Sequence, residues 1–247
     1  MKKILIIRFS SIGDIVLTTP VIRCIKNQIA DAEIHYLTKK QFVPILEANP
    51  YIDKLFSIED KIAEVLPELK KGSYDYIVDL HKNFRSRGIV FNLRKPASSF
   101  SKLNYKKWLV VNLKIDTLPD IHIVDRYFEA VKKPGVKNDN KGLDYFIPEK
   151  DEVQINSLPE THQKGFIGWV IGGKHKTKIY PEVKIIEVCK NTSTPLILLG
   201  GPEDAEKGER IAVAAGKHVY NSCGKFNLNQ SASLVKQSKK SSPTIPG

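Results

Sequence analysis

Residues able to do chemistry gather in four short stretches of the 247-residue chain. The first is Arg8-Phe9-Ser10-Ser11-Ile12-Gly13-Asp14. Ser10, Ser11 and Gly13 offer small side chains and free backbone N–H groups, which suit anions and sugar hydroxyls at the start of a helix. Asp14 is a carboxylate able to take a proton from a hydroxyl, or to cap the helix it opens. The stretch is not G-x-G-x-x-G, so a dinucleotide fingerprint is absent. The second is Asp79-Leu80-His81-Lys82-Asn83-Phe84-Arg85-Ser86. Here His81, Lys82, Asn83 and Arg85 can hold an acidic ligand through charge-assisted hydrogen bonds, or form a solvated polar loop. The third runs from Gly172 to Pro181. Gly172 and Gly173 allow backbone to approach a phosphate closely, and Lys174, Lys176 and Lys178 supply countercharge, unless this is a plain basic loop. The fourth is Leu199-Gly200-Gly201-Pro202-Glu203-Asp204-Ala205-Glu206, which puts Glu203 near a helix N-terminus, where a carboxylate is favourable for the dipole alone. His122 and Arg126 are weaker candidates.

The flanking pattern explains what would position these residues. Apolar runs at Ile4–Phe9, Glu33–Thr38, Lys54–Ser57 and Tyr76–Leu80 predict strands, separated by helices over Asp14–Asn27, Gln41–Ala48 and Lys61–Lys71. The strands are apolar end to end, as in a parallel sheet covered on both faces. Val124–Lys132 reads as a helix, and Lys133 onward as a linker rich in Lys, Asp, Asn, Gly and Pro. A second series follows. Strands are predicted at Phe166–Ile171, Pro195–Leu199 and His218–Tyr220, and helices at Pro181–Lys190, Glu203–Ala214 and Asn227–Lys239, the last opened by Asn227 as N-cap. Repeated βα units imply an α/β protein with two doubly wound, Rossmann-like parallel-sheet domains. The divisions read as 1–132, a linker over 133–163, and 164–247. Each chemical stretch falls at a strand-to-helix turn, the end of such a sheet where ligands bind. Ser241–Gly247 shows neither strand nor helix character, which leaves the second series with three strands.

Composition narrows the classes. The chain is 41% hydrophobic and 27% charged, ordinary for a globular protein. Its longest apolar runs are too short to span a bilayer, and Met1–Ile7 lacks a cleavage site, so a cytoplasmic protein is expected. The three widely spaced cysteines, Cys24, Cys189 and Cys223, form no metal-ligand pattern and read as buried free thiols. The net charge of +12 calls for an anionic partner: a phosphorylated substrate, an anionic membrane face or nucleic acid.

Taken together and in order, the four stretches resemble the signatures of the heptosyltransferase family, glycosyltransferase family 9, over nearly the whole chain to Lys239. R-F-S-S-I-G-D resembles the family's opening motif, Lys178-Ile179-Tyr180-Pro181 its lysine-aromatic-proline motif, and Leu199–Glu203 its strand–Gly–Gly–x–Glu turn. The resemblance implies a GT-B architecture with the active site in the cleft between its domains. It implies inverting transfer of heptose from ADP-heptose to an acidic inner-core lipopolysaccharide acceptor, with no essential metal and no other cofactor. Asp14 would be the general base. Ser10, Ser11, Gly13, His81, Lys82, Asn83 and Arg85 would shape the acceptor side. Gly173, Lys178 and Glu203 would hold the donor, Lys178 on its diphosphate. Peripheral contact with an anionic membrane face would account for the charge, with no nucleic acid involved.

One family motif, an Asp-Thr-Gly turn after the next strand, is missing. Lys240–Gly247 is compatible with codons whose neighbouring frame spells V-I-T-N-D-T-G, so the tail is expected to be that segment out of frame, in a chain cut short with donor binding weakened. Two other functions stay open. One is a related glycosyltransferase using another sugar nucleotide; the other is a non-catalytic basic binding protein.

Overall fold

The computed structural model describes residues 2–102, 111–115, 119–173 and 179–243, with residues 240–243 described by their backbone alone. It divides into two compact units, Met1–Phe146 and Ile147–Gly247.

Unit 1 is built on five parallel strands: β1 (Lys3–Ile7), β2 (Glu33–Lys39), β3 (Lys54–Ile58), β4 (Tyr76–Asp79) and β5 (Ala97–Ser99), in the order β3-β2-β1-β4-β5. Along β1 the side chains alternate faces. Ile4 and Ile6 join one buried cluster with Val21, Ile25 and Tyr127, while Leu5 and Ile7 join a second with Phe56, Leu69 and Ile89. Both faces are therefore covered, which is why the strands read as unbroken apolar runs.

The helix expected over Asp14–Asn27 is in fact two, α1 (Ile12–Val16) and α2 (Thr19–Gln28). Pro20 has no N–H to continue the ladder, and the Thr18 hydroxyl donates back to the Ile15 carbonyl at 2.7 Å. Proline also explains the next two differences. Residues Lys40–Ile45 form a 3-10 helix containing Pro44, and α3 is only Leu66–Lys71, opened by Pro67. The helix α4 (Phe84–Leu93) follows β4, and α5 (Ile123–Phe128) covers the first cluster.

The stretch read as the start of a linker instead lies on α2. Arg23, on α2, donates Nε and Nη2 to Asp139 at 2.9 and 2.8 Å, Nη2 to the Gly142 carbonyl at 3.0 Å, and Nη1 to Asp144. Gln28 exchanges two hydrogen bonds with the backbone of Lys137, and Thr19 Oγ1 accepts from the Asp144 N–H. Residues 137–144 are thus a strap belonging to unit 1.

Unit 2 has four parallel strands: β6 (Ile167–Val170), β7 (Leu196–Leu199), β8 (Val219–Asn221) and β9 (Lys240–Pro243), in the order β8-β7-β6-β9. Three helices matter here: α6 (Glu182–Lys190), α7 (Ala205–Ala215) and α8 (Leu228–Gln237). Asn227 caps α8 as expected, accepting from the Gln230 N–H at 2.8 Å. The strand β9 corrects the expectation that the tail lacks strand character. Its backbone pairs with β6 in register Ile167↔Lys240 to Val170↔Pro243. Pairing with the free edge of β6 is a backbone matter, so polar residues of low strand propensity can fill it.

Candidate active site

In unit 1 the strand order reverses between β1 and β4, since β2 and β3 lie to one side and β5 to the other. Loops leaving the carboxyl ends of two such strands diverge and open a crevice, the usual ligand site of an open α/β sheet. Residues 8–14 leave β1 and residues 80–86 leave β4, so the order places the first two chemical stretches side by side.

Arg8 joins them. Its side chain is 9% exposed; Nη2 pairs with Asp14 Oδ2 at 2.9 Å, Nε donates to the Ser10 carbonyl at 2.7 Å, and Nη1 donates to the Leu80 carbonyl. The guanidinium also lies 5.7 Å from the Tyr127 ring centroid. A hydrogen bond to a charged group contributes about 1.5–3 kcal/mol. The three bonds use three of the five N–H donors of Arg8, one on each nitrogen, so that Arg8 positions the two loops and Asp14.

Asp14 is not the N-cap of α1. Ser11 is, and Asp14 is the third helical residue of a capping box. Its Oδ2 accepts from the Ser11 N–H at 3.1 Å and the Ser11 hydroxyl at 2.9 Å, besides Arg8. Among the described residues nothing bonds Oδ1, and the side chain is 38% exposed. Burial pushes the Asp14 pKa up, but the Ser11 N–H, the Arg8 charge and the hydroxyl and guanidinium bonds together bring it below its ordinary value. Asp14 is thus an anion held by one oxygen, with no described residue bonded to the other. Gly13 is exposed, and a methyl group there would meet nothing within 4 Å. The Ser10–Ser11 peptide is cis.

Replacing Arg8 with methionine is expected to raise the Asp14 pKa, because it removes the charge and one hydrogen bond that oppose burial. A carboxyl-carbon NMR titration reads this; an unmoved or lower Asp14 midpoint would show that Arg8 does not hold it.

The second loop is built on Asp79, which is buried and wholly engaged. Its oxygens accept from the N–H groups of His81 and Lys82 at 3.0 and 2.8 Å and from the Ser86 hydroxyl at 2.8 Å. Asn83 is the N-cap of α4, accepting from the Ser86 N–H at 2.8 Å, so its carbonyl oxygen is committed to the helix. Lys82 has a left-handed backbone, and its ammonium donates to the Phe100 carbonyl at 2.8 Å. Arg85 lies 3.7 Å from an Asp60 carboxylate oxygen and 5.7 Å from the Phe9 ring centroid.

His81 packs edge-on against Phe9 with centroids 4.9 Å apart, and among the described residues its buried Nδ1 has no partner. Burial, then the charges of Arg8, Lys102 and Arg85, push its pKa down to about 4, so the ring is neutral at pH 7. Lys102 is a residue the sequence pattern did not single out. Its pKa is lowered, first by burial and then by Arg8, with Lys82 and Arg87 adding and Asp79 opposing. Arg126 and Glu129 hold the chain beside it, through the Ser101 carbonyl and N–H. Arg126 is therefore a scaffold residue, and His122 caps α5 through Val124. His81 thus feels Arg8, Lys102 and Arg85 together with the Asp14 carboxylate, and Lys82 and Arg87 act on Lys102, so cations gather at the two loops, with Asp60 beside Arg85.

In unit 2, Gly172 and Gly173 follow β6, and Gly200 and Gly201 follow β7. The two turns close up through Asp204, which accepts from the Gly201 N–H at 3.1 Å. A methyl group on Gly172 would sit 1.9 Å from the Asp204 carboxylate, and one on Gly200 would sit 2.8 Å from its Cβ. At Gly200 the neighbour is a Cβ that cannot swing away, so glycine is favoured there by close approach, whereas at Gly172 the Asp204 carboxylate would have to move. Gly173 and Glu203 are exposed, and no described residue pairs with the Glu203 carboxylate. Lys178 lies outside the described residues. Lys207, which sequence reasoning passed over, reaches from α7 to donate to the Ile171 carbonyl at 3.2 Å, a cation at the root of the Gly172–Gly173 turn. Among the described residues no three His, Cys, Asp or Glu side chains are grouped to hold a metal ion, and no helix is long and apolar enough to cross a membrane.

Residues 62–240 match glycosyltransferase family 9 (heptosyltransferase). Lipopolysaccharide heptosyltransferase 1 of Campylobacter coli is 29% identical over 210 residues, which cover 76% of this chain and 60% of that protein. The chain thus spans less than two thirds of that relative's length. Among solved structures, the glycosyl transferase family 9 protein from Veillonella parvula DSM 2008 superposes with a TM-score of 0.81 at 22% identity, over 97% of this chain and 75% of that one. E. coli heptosyltransferase WaaC with ADP-2-deoxy-2-fluoro heptose superposes with a TM-score of 0.69 at 18% identity, over 97% and 81%. Both share this fold, the α/β GT-B type with parallel sheets.

Proposed function

The chain belongs to glycosyltransferase family 9, and from that premise we propose that it transfers heptose from ADP-heptose to an acidic inner-core lipopolysaccharide acceptor, with inversion. The observation that carries the proposal is the Asp14 carboxylate, ionised and fixed through one oxygen, with no described residue bonded to the other, beside a cluster of cations.

The chemistry follows from that arrangement. An acceptor hydroxyl placed against Asp14 Oδ1 gives up its proton as its oxygen attacks the anomeric carbon from the face opposite the departing diphosphate. The bond to ADP breaks as the new glycosidic bond forms. A lowered pKa makes Asp14 a weak base, but positive charge grows on the sugar ring before the proton moves far, and a fixed anion stabilises that charge. Lys82, Arg85 and Lys102 attract the phosphates and carboxylates of the acceptor. His81, neutral, offers an uncharged nitrogen next to them. Ser10, Ser11, Gly13 and Asn83 shape the same wall. On the donor side, Gly173 and Lys178 meet the diphosphate, and Glu203 a ribose or adenine donor group. Lys207 adds countercharge at the same turn. No resident cofactor is invoked, and the enzyme works in the cytoplasm.

The decisive test is a sugar-nucleotide panel read as nucleotide release with and without a lipopolysaccharide-core acceptor. Acceptor-dependent release of ADP from ADP-heptose is expected. Turnover of a UDP- or GDP-sugar in its place would assign a different donor. No turnover, combined with steeply salt-dependent binding to generic nucleic acid, would make the chain a basic binding protein.

A further inference from the structure

We propose that the outward face of α4 docks this protein on an anionic phospholipid bilayer. The inference rests on the glycolipid acceptor proposed above and adds the surface that finds it.

Residues 81–115 hold nine Lys and Arg and no Asp or Glu, so this segment carries +9 of the chain's net +12. Within it, α4 buries Ser86, Ile89 and Leu93. The opposite face shows Phe84, 92% exposed, and Phe91, 76% exposed. They stand seven residues apart, two turns and about 10 Å along the helix. Exposed Arg87 lies between them, and exposed Arg94 and Lys95 follow the helix end. Val111, Leu113 and Ile115, in the same acid-free segment, are at least half exposed.

Scattered exposed apolar residues are ordinary, but two phenylalanines on one face of a helix whose own charged residues are all cations are not. That combination matches an interfacial helix. The aromatic rings enter the boundary between headgroups and acyl chains, while Arg87, Arg94 and Lys95 meet lipid phosphates. A protein partner would need a concentrated acidic surface to match the same charge, whereas an anionic leaflet presents one everywhere. Asn83, which caps α4, belongs to the acceptor loop. Docking by α4 would therefore bring that loop to the level where glycolipid sugars stand.

The test is co-sedimentation with vesicles that contain no glycolipid, made of phosphatidylglycerol and phosphatidylethanolamine or of phosphatidylcholine alone. The wild type should partition to the anionic vesicles and not to phosphatidylcholine. F84S/F91S should weaken partitioning at least tenfold, and R94S/K95S should weaken it and flatten its salt dependence. Both should keep the wild-type melting temperature and turnover of a delipidated, soluble acceptor. Wild-type protein that ignores anionic vesicles would overturn the proposal. So would F84S/F91S binding as well as wild type, or a stronger attachment to duplex DNA that the two phenylalanines do not affect. Because the vesicles carry no acceptor, failure here leaves the transfer reaction standing, and failure of transfer leaves the docking result standing.

Discussion

Asp14→Asn is expected to reduce heptosyl transfer roughly a hundred- to ten-thousandfold, the range that a positioned general base contributes. Asparagine keeps the shape of the side chain, and its carbonyl oxygen can still accept from Ser11 and Arg8, so α1 and the two loops should stay in place. What it loses is the charge and the proton acceptor at Oδ1. The loss should therefore appear in kcat at saturating donor and acceptor, with melting temperature and ADP affinity unchanged. A decrease below tenfold would move the base elsewhere. The wild-type pH profile carries a second signature. Asp14 ionises below its ordinary carboxyl value despite burial, because Ser11 and Arg8 bond and charge-stabilise the anion. Activity should hold as pH falls towards the usual carboxyl range and fail only below it. In Arg8→Met the acid limb should move to higher pH.

The largest stability effect is expected at Arg23→Ala. The guanidinium side chain is 5% exposed, and its partners Asp139 and Asp144 are 20% and 19% exposed. Removing one partner of a buried ion pair costs about 3–5 kcal/mol, because the remaining charges are left unpaired. The partial exposure of the two aspartates lets water reach them, which favours the lower end, about 3 kcal/mol. For a unit of this size that corresponds to a fall in melting temperature of about 10 °C. The pH dependence has a definite sign. The Asp139 pKa is lowered, first by its hydrogen bonds from Arg23, with burial opposing. A lowered carboxyl pKa contributes stability that is fully present above the unfolded value, near 3.8, and is lost as pH falls through the folded value. Unit 1 should therefore weaken on acidification below about pH 4, and Arg23→Ala should flatten that loss. A change under 1 kcal/mol would mean that the strap is not fastened by Arg23.

The same strap shows where sequence reasoning stops. Arg23 sits on an amphipathic helix among apolar residues and resembles any snorkelling surface arginine, while its acceptors lie more than a hundred positions along the chain. Nothing local pairs them, so residues 137–144 read as linker. The strands of unit 1 were legible because full burial demands unbroken apolar runs. The edge strand β5, Ala97-Ser98-Ser99, carries no such signal and is held by pairing with β4. The same holds for β9. Helix ends were legible in principle, since Pro20, Pro44 and Pro67 each mark a break that hydrophobic periodicity alone overran.

Within the candidate site, the strand-to-helix turns put Asp14 and His81 at the carboxyl ends of β1 and β4, but not their states. That Asp14 is held by Arg8 depends on a side chain reaching across to Leu80, and that Asp79 and Asn83 are spent on the loop itself depends on the Ser86 hydroxyl. Lys102 lies in a polar basic stretch with no motif, and only the fold puts it near Arg8, Lys82 and Arg87. Lys207 looks like an ordinary helix-surface lysine until α7 packs beside the end of β6.

The central claim is that Asp14 acts as base in a direct displacement at the anomeric carbon. It is tested most directly by the anomeric configuration of the heptosyl product, read from its one-bond carbon–hydrogen coupling in NMR and compared with that of ADP-heptose. A single displacement assisted by Asp14 yields the opposite configuration, and forms it more slowly by at least about a hundredfold in Asp14→Asn. A product that retains the donor's configuration, or one formed equally well by Asp14→Asn, would contradict that mechanism.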